Sequence, residues 1–310
     1  MRVGILGSGF GLYGYLPALI GLRKEVVLPV RYRQKLMGRN DVAHLDSHIK
    51  WVQNEEALLA SSDALVISQR PCDQVSWVEL AISSSDITHY LLEKPLAPSP
   101  TEARTLLELL FGAGNNVRIG YTFRFTSWAA RLKAVLAQAS PDDRLLIEWR
   151  FRAHHYATDA ETWKRHHSQG GGALRFYGIH VIALLAELGY RQATASCIEG
   201  AGDDDARRWE ATFAGPRLPN CSTYLDSDAP SASFHVRLAD GRSQEHTVVT
   251  LRDPFDQATN EGGYDRRVEV LSTLCRSLLD GTPESSSWYY NSIDLWTAAE
   301  KGATGNAPNE

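Results

Sequence analysis

The chain opens with a short apolar strand, a glycine-rich turn and a helix, an order that constrains the fold more than any other feature of the sequence. Residues 3–6 are predicted to form the strand, and the turn contains three glycines and an aromatic residue: Gly7, Gly9, Gly11 and Phe10. Such glycines let the backbone approach a pyrophosphate, whose charge is stabilised at the helix N-terminus. Leu12 occupies the third glycine position of the usual spacing, so the motif alone also fits a plain tight turn. In its strand–turn–helix context we favour a dinucleotide site formed by these residues.

The first 120 residues alternate short apolar strands with helical segments, which is typical of a parallel sheet covered by helices. The predicted strands are 3–6, 26–30, 49–52, 64–68, 90–92 and 117–120, and the predicted helices are 13–22, 74–83 and 101–111. Residues 65–67 form a continuous apolar run, as expected for a strand buried on both faces. We therefore predict an α/β fold whose residues 1–120 form a Rossmann domain that binds NAD(P).

The pattern changes after residue 144, where apolar and more polar residues alternate as in a strand with one packed face. Predicted strands follow at 144–152, 222–225, 233–238 and 246–251, and predicted helices at 173–188, 264–279 and 293–301. The strands indicate an antiparallel sheet. We therefore predict that residues 121–310 form a second, α+β domain.

Composition excludes several classes of partner. The formal net charge of −5 provides no basic surplus for binding nucleic acid. The four cysteines form no Cys-x-x-Cys pair, which favours a reducing cytoplasm over a disulfide framework or a zinc knuckle. No segment approaches the apolar run of a membrane span, and neighbouring histidines in a strand, such as His154 and His155, would point to opposite faces. We expect neither a membrane anchor nor a metal site.

The end of the second predicted strand indicates which dinucleotide is bound. An NAD site uses a carboxylate there to accept hydrogen bonds from the ribose, whereas this chain has Arg31 and Arg33 and no carboxylate before Asp41. Guanidinium groups suit a 2′-phosphate, and Tyr32 is placed to cover the adenine. We therefore favour NADP(H), with NAD(H) as the alternative, and solvated arginines on a loop remain an equal explanation of this stretch taken alone.

A lysine follows the fifth predicted strand, in the sequence Glu93-Lys94-Pro95. The proline favours an extended backbone at Lys94, and the carboxyl ends of such strands face the ligand crevice. An ammonium beside a nicotinamide would hold a substrate oxygen. An ordinary surface lysine is the simpler alternative for this residue considered by itself.

Several motifs together resemble one known family. They are Gly7-x-Gly9-Phe10-Gly11, Leu16-Pro17-Ala18-Leu19, Glu93-Lys94-Pro95-Leu96, Gly120-Tyr121-x-Phe123-Arg124-Phe125, and Gly170-Gly171-Gly172-Ala173-Leu174 with Gly178-x-His180. The chain is similar in these motifs to the glucose-fructose oxidoreductase, inositol dehydrogenase and MocA (Gfo/Idh/MocA) family, from Arg2 to at least Leu188. The resemblance implies a bound NAD(P), hydride transfer at a sugar or cyclitol carbon, and a C-terminal open sheet that pairs subunits into a homo-oligomer.

The resemblance also implies roles for individual residues. Lys94 would polarise the reacting oxygen and His180 would act as general acid/base, since a histidine facing the cofactor can pass the proton that balances the hydride. The predicted substrate-binding residues are Arg124, Lys164, Phe176 and Tyr177, and Gln69, Glu93 and Lys94 join the turn glycines, Phe10, Arg31 and Arg33 as predicted cofactor-binding residues.

The chain departs from the family at Phe176, where relatives resembling inositol dehydrogenase have an aspartate that would support the histidine. Gln74 and Tyr15 stand where relatives often have histidine, and Gln69-Arg70 replaces a Thr-Pro. We predict that Tyr177, three residues before His180, completes the proton relay. Two alternatives stay open: a dinucleotide-binding sensor or regulator without catalysis, and an imine or enone reductase that tolerates an apolar wall at Phe176.

Overall fold

The computed structural model describes residues 1–200, 204–241, 244–256 and 263–304, with side chains as far as Gly302. The chain divides into two compact units. The first unit comprises Met1–Ala97, Thr105–Thr122 and Ala258–Ser285, and the second unit comprises Pro98–Arg104, Phe123–Gln257 and Ser286–Glu310.

The first unit contains a parallel sheet of six strands. They are β1 (Arg2–Leu6), β2 (Glu25–Pro29), β3 (Ile49–Val52), β4 (Ala64–Ile67), β5 (His89–Leu92) and β6 (Asn116–Ile119). Their order is β3-β2-β1-β4-β5-β6, and every neighbouring pair is parallel. The predicted Rossmann sheet is thereby confirmed. The strand order reverses between β1 and β4, which is where such sheets bind their ligands, at the carboxyl ends of the strands.

The helices of the described residues flank both sheets. In chain order they are α1 (Leu16–Gly21), α2 (Arg33–Met37), α3 (Glu55–Ser61), α4 (Pro71–Ser84), α5 (Pro100–Gly112), α6 (Ser127–Leu136), α7 (His154–Ala157), α8 (Ile179–Leu188), α9 (Val268–Leu279) and α10 (Ser287–Thr304). The starts follow local chemistry: the Asn54 side chain accepts a hydrogen bond from the Ala57 amide at the start of α3, and Pro71 occupies the first turn of α4.

Helix α9 belongs to the first unit although it lies near the end of the sequence. It packs against α1, β5 and β6. The side chain of Arg118 on β6 is 1% exposed and donates hydrogen bonds to the carbonyls of Ser277 and Thr282, at 2.7 and 2.9 Å. A late segment of the chain therefore completes the packing around the parallel sheet.

The second unit contains a mixed sheet. Its strands are β7 (Arg144–Arg152), β8 (Gln192–Gly200), β9 (Ala206–Ala214), β10 (Asn220–Asp226), β11 (Asp228–Ala239) and β12 (Glu245–Leu251), in the order β12-β11-β7-β10-β9-β8. All pairs are antiparallel except β7 with β10. The predicted second sheet is confirmed. Strands β8 and β9 were not predicted, because β8 is a largely exposed edge strand and β9 fills part of its packed face with alanine.

The helix predicted at 173–188 is not uniform. Residues Ala173–Gly178 form a π-helical segment, α8 follows, and the helix ends at Gly189, whose φ of 106° suits glycine. The stretch His167–Leu188 has the length and apolarity of a membrane span, but 72% of its most apolar window is buried inside the protein. Such burial is expected for a core helix of the second unit.

Candidate functional site

The three glycines of the first turn have three different surroundings. Gly7 has a φ of 137°, and a Cβ there would lie 2.1 Å from the Ser68 carbonyl oxygen. A Cβ on Gly11 would lie 2.9 Å from Cγ2 of Ile5, whereas a Cβ on Gly9 would meet nothing within 4 Å. Gly7 therefore allows the tight turn, Gly11 allows the helix to approach β1, and Gly9 leaves its backbone open to a ligand. These are the three tasks of glycines in a dinucleotide-binding turn, so the arrangement fits a pyrophosphate.

Alanine substitutions at Gly7 and Gly9 are expected to affect different properties, namely folding stability at Gly7 and dinucleotide affinity at Gly9. Gly7→Ala should lower the free energy of unfolding by about 2–4 kcal/mol, because it combines backbone strain with a clash against the Ser68 carbonyl. Gly9→Ala should leave stability nearly unchanged but raise the dinucleotide Kd by about tenfold or more, since its methyl group enters the space left for the ligand. Urea unfolding and fluorescence titration measure the two effects. A destabilised Gly9→Ala with normal dinucleotide affinity would contradict this assignment.

The side chain of Tyr32 lies beneath the turn. It is 4% exposed, and its hydroxyl accepts a hydrogen bond from the Gly7 amide at 3.3 Å. Gln69, at the end of β4, also hydrogen bonds to this hydroxyl. Burial raises the pKa of Tyr32, so the phenol stays neutral. The ring leaves little surface for an adenine and supports the turn through its hydroxyl, so the role of Tyr32 over the adenine stays a prediction.

The two arginines after β2 are each bound to a carboxylate. Arg31 pairs with Glu55, and Arg33 makes a two-pronged contact with Asp46 at 2.7 and 2.9 Å. Both arginine side chains remain more than half exposed. The positive charge predicted after β2 is therefore present, but the carboxylates of Glu55 and Asp46 partly neutralise it.

Lys35 on α2 was missed by the sequence analysis. Its Nζ donates a hydrogen bond to Oγ of Ser8, inside the glycine turn, at 3.1 Å. The signal in the sequence was the spacing of three basic residues, Arg31, Arg33 and Lys35, directly after β2. Lys35 brings an exposed cation to the turn, where a phosphate of the cofactor is expected.

Glu93 is buried next to Lys94. Its carboxylate accepts hydrogen bonds from the hydroxyl of Tyr15 and from the Lys94 amide. Burial raises the pKa of Glu93, while the Lys94 charge and the Tyr15 hydrogen bond act in the opposite direction. A Cβ on Gly120 would lie 2.7 Å from Glu93 Oε1, so the glycine leaves room for the hydrogen bond between Glu93 and Tyr15. Tyr15 thus fixes the Glu93 side chain and the backbone that precedes Lys94.

Gln74 holds the loop that contains Lys94. Its side chain is fully buried, and Nε2 lies 3.0, 2.9 and 3.1 Å from the carbonyl oxygens of Glu93, Pro95 and Leu96. Three acceptors around one amide nitrogen fix the orientation of the amide, because the opposite flip would direct an oxygen at all three carbonyls. Gln74 therefore positions Lys94 through the backbone on both sides of it.

Arg267, at the start of α9, packs against the glycine turn. Its guanidinium lies 4.3 Å from the centre of the Phe10 ring and makes a two-pronged contact with Asp265 at 2.8 Å. Although burial alone lowers the pKa of Arg267, the hydrogen bonds and charge of Asp265 raise it overall, so the cation is permanent. Phe10, predicted as a cofactor residue, is thus held in a cation–π contact by a residue far away in the sequence.

In the second unit, His180 is buried on α8 and stacks on Phe123. The ring centres are 4.8 Å apart and the planes are inclined by 18°. Tyr177 lies in the π-helical segment, with Phe151 and Phe176 each in edge-to-face contact at 4.7 Å. Residues three apart are neighbours on the face of an α-helix. Tyr177 lies in the π-helical segment, so its spacing from His180 does not by itself place the two side chains next to each other.

The triple glycine lets this segment begin against another part of the backbone. A Cβ on Gly171 would lie 2.4 Å from the Trp163 carbonyl oxygen, and the Gly172 amide donates to the Lys164 carbonyl at 2.8 Å. The Lys164 ammonium lies 5.3 Å from the centre of the Phe176 ring. The loop with Trp163 and Lys164 is therefore fixed against the start of the segment that contains Tyr177.

Arg124 makes a two-pronged ion pair with Glu187, at 3.0 and 2.9 Å, and its guanidinium lies 4.5 Å from the centre of the Trp288 ring. Much of its hydrogen-bonding capacity is therefore used within the second unit. Its predicted role in binding substrate stays a prediction.

The predicted site residues fall into two groups. The first unit contains the turn glycines, Phe10, Arg31, Arg33, Gln69, Glu93 and Lys94, and the second unit contains Arg124, Lys164, Phe176, Tyr177 and His180. That Lys94 and His180 meet at one nicotinamide stays a prediction.

Comparison with known proteins finds a family match for the first part of the chain. Residues 1–121 match the family described as oxidoreductase family, NAD-binding Rossmann fold (GFO_IDH_MocA). The chain has no significant sequence match among curated proteins.

Solved structures resemble the chain over nearly its whole length. GenD2 from gentamicin A biosynthesis, in complex with NAD, superposes with a TM-score of 0.74 at 17% identity, covering 98% of this chain and 94% of that one. The WlbA dehydrogenase from Bordetella pertussis, with NADH and UDP-GlcNAcA, gives 0.73 at 15% identity, covering 98% and 96%. KijD10, a 3-ketoreductase from Actinomadura kijaniata with NADP and TDP-benzene, gives 0.69 at 15% identity, covering 98% of both chains. At such identities the likeness establishes the fold alone.

Proposed function

We propose that the chain is an oxidoreductase of the Gfo/Idh/MocA family, whose model matches residues 1–121, and that it transfers a hydride between NADP(H) and an alcohol or ketone carbon of a carbohydrate-like ring. The observation that supports this proposal best is the Lys94 loop, fixed by Gln74 and Glu93 at the carboxyl end of β5 in a Rossmann sheet. The substrate class is supported by KijD10 and WlbA, whose structures contain TDP-benzene and UDP-GlcNAcA.

In the proposed mechanism the turn at Gly7, Gly9 and Gly11 binds the pyrophosphate. When bound, the nicotinamide supplies or accepts the hydride. The Lys94 ammonium holds the substrate oxygen and stabilises the negative charge that develops there during reduction. His180 supplies the proton to that oxygen, and Tyr177 completes the relay. In the oxidative direction the same residues take the proton from the alcohol.

The preference for NADP(H) is part of the proposal. Arg31, Arg33 and Lys35 give three cations after β2, and the Lys35 ammonium already reaches Ser8 of the turn. A 2′-phosphate would gain charge-assisted hydrogen bonds from such a set, whereas the ribose of NAD(H) would find no carboxylate at the end of β2 itself. If NADPH is the preferred form, reduction is the expected direction.

Substitution of Lys35 tests this preference. Lys35→Gln is expected to raise the Kd of NADPH by about tenfold to a hundredfold, because a hydrogen bond to a charged group contributes about 1.5–3 kcal/mol, and to change the Kd of NADH much less. Fluorescence titration with each nucleotide measures the two constants, with Lys50→Gln, at an exposed lysine of β3, as control. An equal rise in the Kd of both nucleotides would indicate that Lys35 contacts the pyrophosphate and not the 2′-phosphate. Tighter binding of NADH than of NADPH by the wild type would overturn the NADP(H) assignment.

The proposal also assigns cofactor binding to residues 1–120, and substrate binding and subunit pairing to residues 121–310, in a cytoplasmic homo-oligomer that pairs through the open face of the second sheet. Analytical ultracentrifugation would test the oligomer. The decisive experiment for the function is turnover: NADPH and NADH oxidation with a panel of keto sugars and ketocyclitols, free and nucleotide-linked. Dinucleotide binding without turnover of any of them would overturn the enzymatic assignment.

A second candidate function is a sensor or regulator that binds dinucleotide without catalysis. It is motivated by Phe176, which replaces a family aspartate and packs against Lys164 and Trp163 instead. The same apolar wall also suits an imine or enone reductase, whose substrate needs less acid–base support. Adding cyclic imines and enones to the turnover panel distinguishes these possibilities from the leading one.

A further inference from the structure

Four half-buried aromatic rings lie together in the second unit, and we call them the aromatic platform: Phe151, Trp163, Phe176 and Tyr177. Tyr177 contacts Phe151 and Phe176 at 4.7 Å between ring centres, and Trp163 contacts Phe176 at 5.3 Å. All three contacts are edge-to-face, with interplanar angles of 71°, 79° and 87°. The rings are therefore held in fixed orientations while part of each stays accessible.

Buried residues support the platform. Trp149 is 5% exposed and packs on Phe151 at 4.6 Å and on Tyr177 at 5.9 Å. His155 is 4% exposed, and its ring lies parallel to Tyr177 at 6.5 Å. Burial, followed by the charges of Lys164 and Arg165, lowers the pKa of His155 to about 4, so its imidazole is neutral at pH 7.

Two buried nitrogen atoms next to the platform lack hydrogen-bond partners among the described residues. They are Nε1 of Trp149 and Nε2 of His155. A buried polar atom left without a partner costs about 1–3 kcal/mol, and a bound ligand or an ordered water is a common explanation for one. Because the Trp149 and His155 rings both contact Tyr177, their unpaired nitrogens are a second indication that this cluster serves a ligand.

The chemistry of the platform discriminates between ring substrates. A fully hydroxylated ring loses water from each hydroxyl on binding and needs a hydrogen-bonding group in return, most effectively a carboxylate. At position 176 the chain presents a phenyl ring, whose face is in contact with the Lys164 ammonium. Aromatic faces suit the C–H groups of a ring, and they leave a hydroxyl directed at them without a partner.

We propose that the aromatic platform binds the apolar face of a ring with few hydroxyls, so that the substrate is of the deoxysugar class. The inference rests on the proposed function, because it places the reacting ring beside Tyr177. It specifies what the platform selects: a ring that presents C–H or methyl groups where a cyclitol presents hydroxyls.

The test uses a pair of probes that differ in one hydroxyl, TDP-glucose and TDP-6-deoxyglucose. Their Kd values are measured by tryptophan fluorescence on the full chain saturated with NADP⁺, since Trp149 and Trp163 lie in or next to the platform. The wild type is expected to bind the deoxy probe about tenfold more tightly, the cost of one unpaired hydroxyl. Phe176→Asp should reverse this preference, and Trp163→Leu should reduce it even if the aspartate variant does not fold.

Tyr224→Leu is the matched control. Tyr224 also packs against a cation, Arg150 at 4.7 Å, but from strand β10, and its side chain faces away from the packed side that contains Trp149. Its substitution should leave the ratio of the two Kd values unchanged. Equal Kd values in the wild type, failure of both probes to bind, or an unchanged ratio in Phe176→Asp and Trp163→Leu would overturn the inference. Expected binding ratios without hydride transfer from NADPH to any keto sugar would instead overturn the proposed function and leave the platform intact.

Discussion

Replacing Lys94 with methionine is expected to lower kcat/KM by about 10²–10⁴-fold for whichever substrate of the panel is turned over. Methionine keeps the length and apolar stem of the side chain but removes the charge that stabilises the developing oxyanion. The loop itself should keep its conformation, because Gln74 and Glu93 hold its backbone through hydrogen bonds. Steady-state kinetics together with the dinucleotide Kd measure the effect, which should fall mainly on kcat.

Two further variants make the Lys94 result specific. Lys50→Met removes an exposed lysine from β3 of the same unit and should leave kcat/KM unchanged. Lys94→Arg retains a cation with a different reach and should recover part of the lost activity, since a planar guanidinium cannot reproduce a compact ammonium. A loss below tenfold in Lys94→Met, or an equal loss in Lys50→Met, would remove Lys94 from the reaction.

The sequence contained enough information for the architecture because the relevant signals are local. An apolar strand before Gly7 and a continuous apolar run at 65–67 are each sufficient to predict their elements, and the parallel sheet follows from their alternation with helices. The match of residues 1–121 to the model of an NAD-binding oxidoreductase family agrees with the family that the motifs resemble. The second sheet was predicted only where strands alternate clearly, which is why β8 was missed.

The support of the site could not be predicted, because it depends on contacts between distant parts of the chain. Gln74 binds carbonyls that lie about twenty residues away, and Arg267 packs on Phe10 from the other end of the sequence. No periodicity or composition encodes such pairs. The π-helical segment before His180 is equally invisible to a search that assumes α-helical spacing.

In the glycine turn, the spacing of the sequence motif assigned the third glycine position to the wrong residue. The sequence spacing placed the third glycine at Leu12, yet Gly11 performs the packing task expected of it, because the helix begins with a π-helical turn at Gly11–Tyr15. Residue types after β2 pointed correctly to a basic cluster, but the ion pairs with Glu55 and Asp46 and the contact of Lys35 with Ser8 depend on tertiary structure. Motif spacing therefore predicts a backbone turn better than it predicts the side-chain contacts around it.

Gln74 offers the most sensitive test of how Lys94 is held. Gln74→Glu replaces an NH₂ group that faces three carbonyl oxygens with a carboxylate of nearly the same shape. A carboxylate can only accept hydrogen bonds, so at pH 7 the variant would bury a charge directed at three acceptors. We expect the free energy of unfolding to fall by about 3–5 kcal/mol at that pH.

The loss should depend on pH, and the direction follows from the pKa of the introduced carboxyl. Burial and the three carbonyl dipoles disfavour its charged form, so its pKa in the folded state lies above that in the unfolded state. Stability relative to the wild type is therefore recovered as the pH falls below the folded pKa, and it is lost as the pH rises through that value. Urea unfolding at several pH values between about 5 and 8 measures this dependence.

Gln74→Leu is the matched control, since it removes the donor without adding a charge. It leaves the same carbonyls without their partner, at a cost of about 1–3 kcal/mol that does not vary with pH in this range. Both variants should lower kcat, because the backbone on either side of Lys94 loses its support, but only Gln74→Glu should regain stability in acid. Identical stability of the two variants at every pH would show that the amide does not face the three carbonyls, and Lys94 would then lack the support on which the proposed mechanism depends.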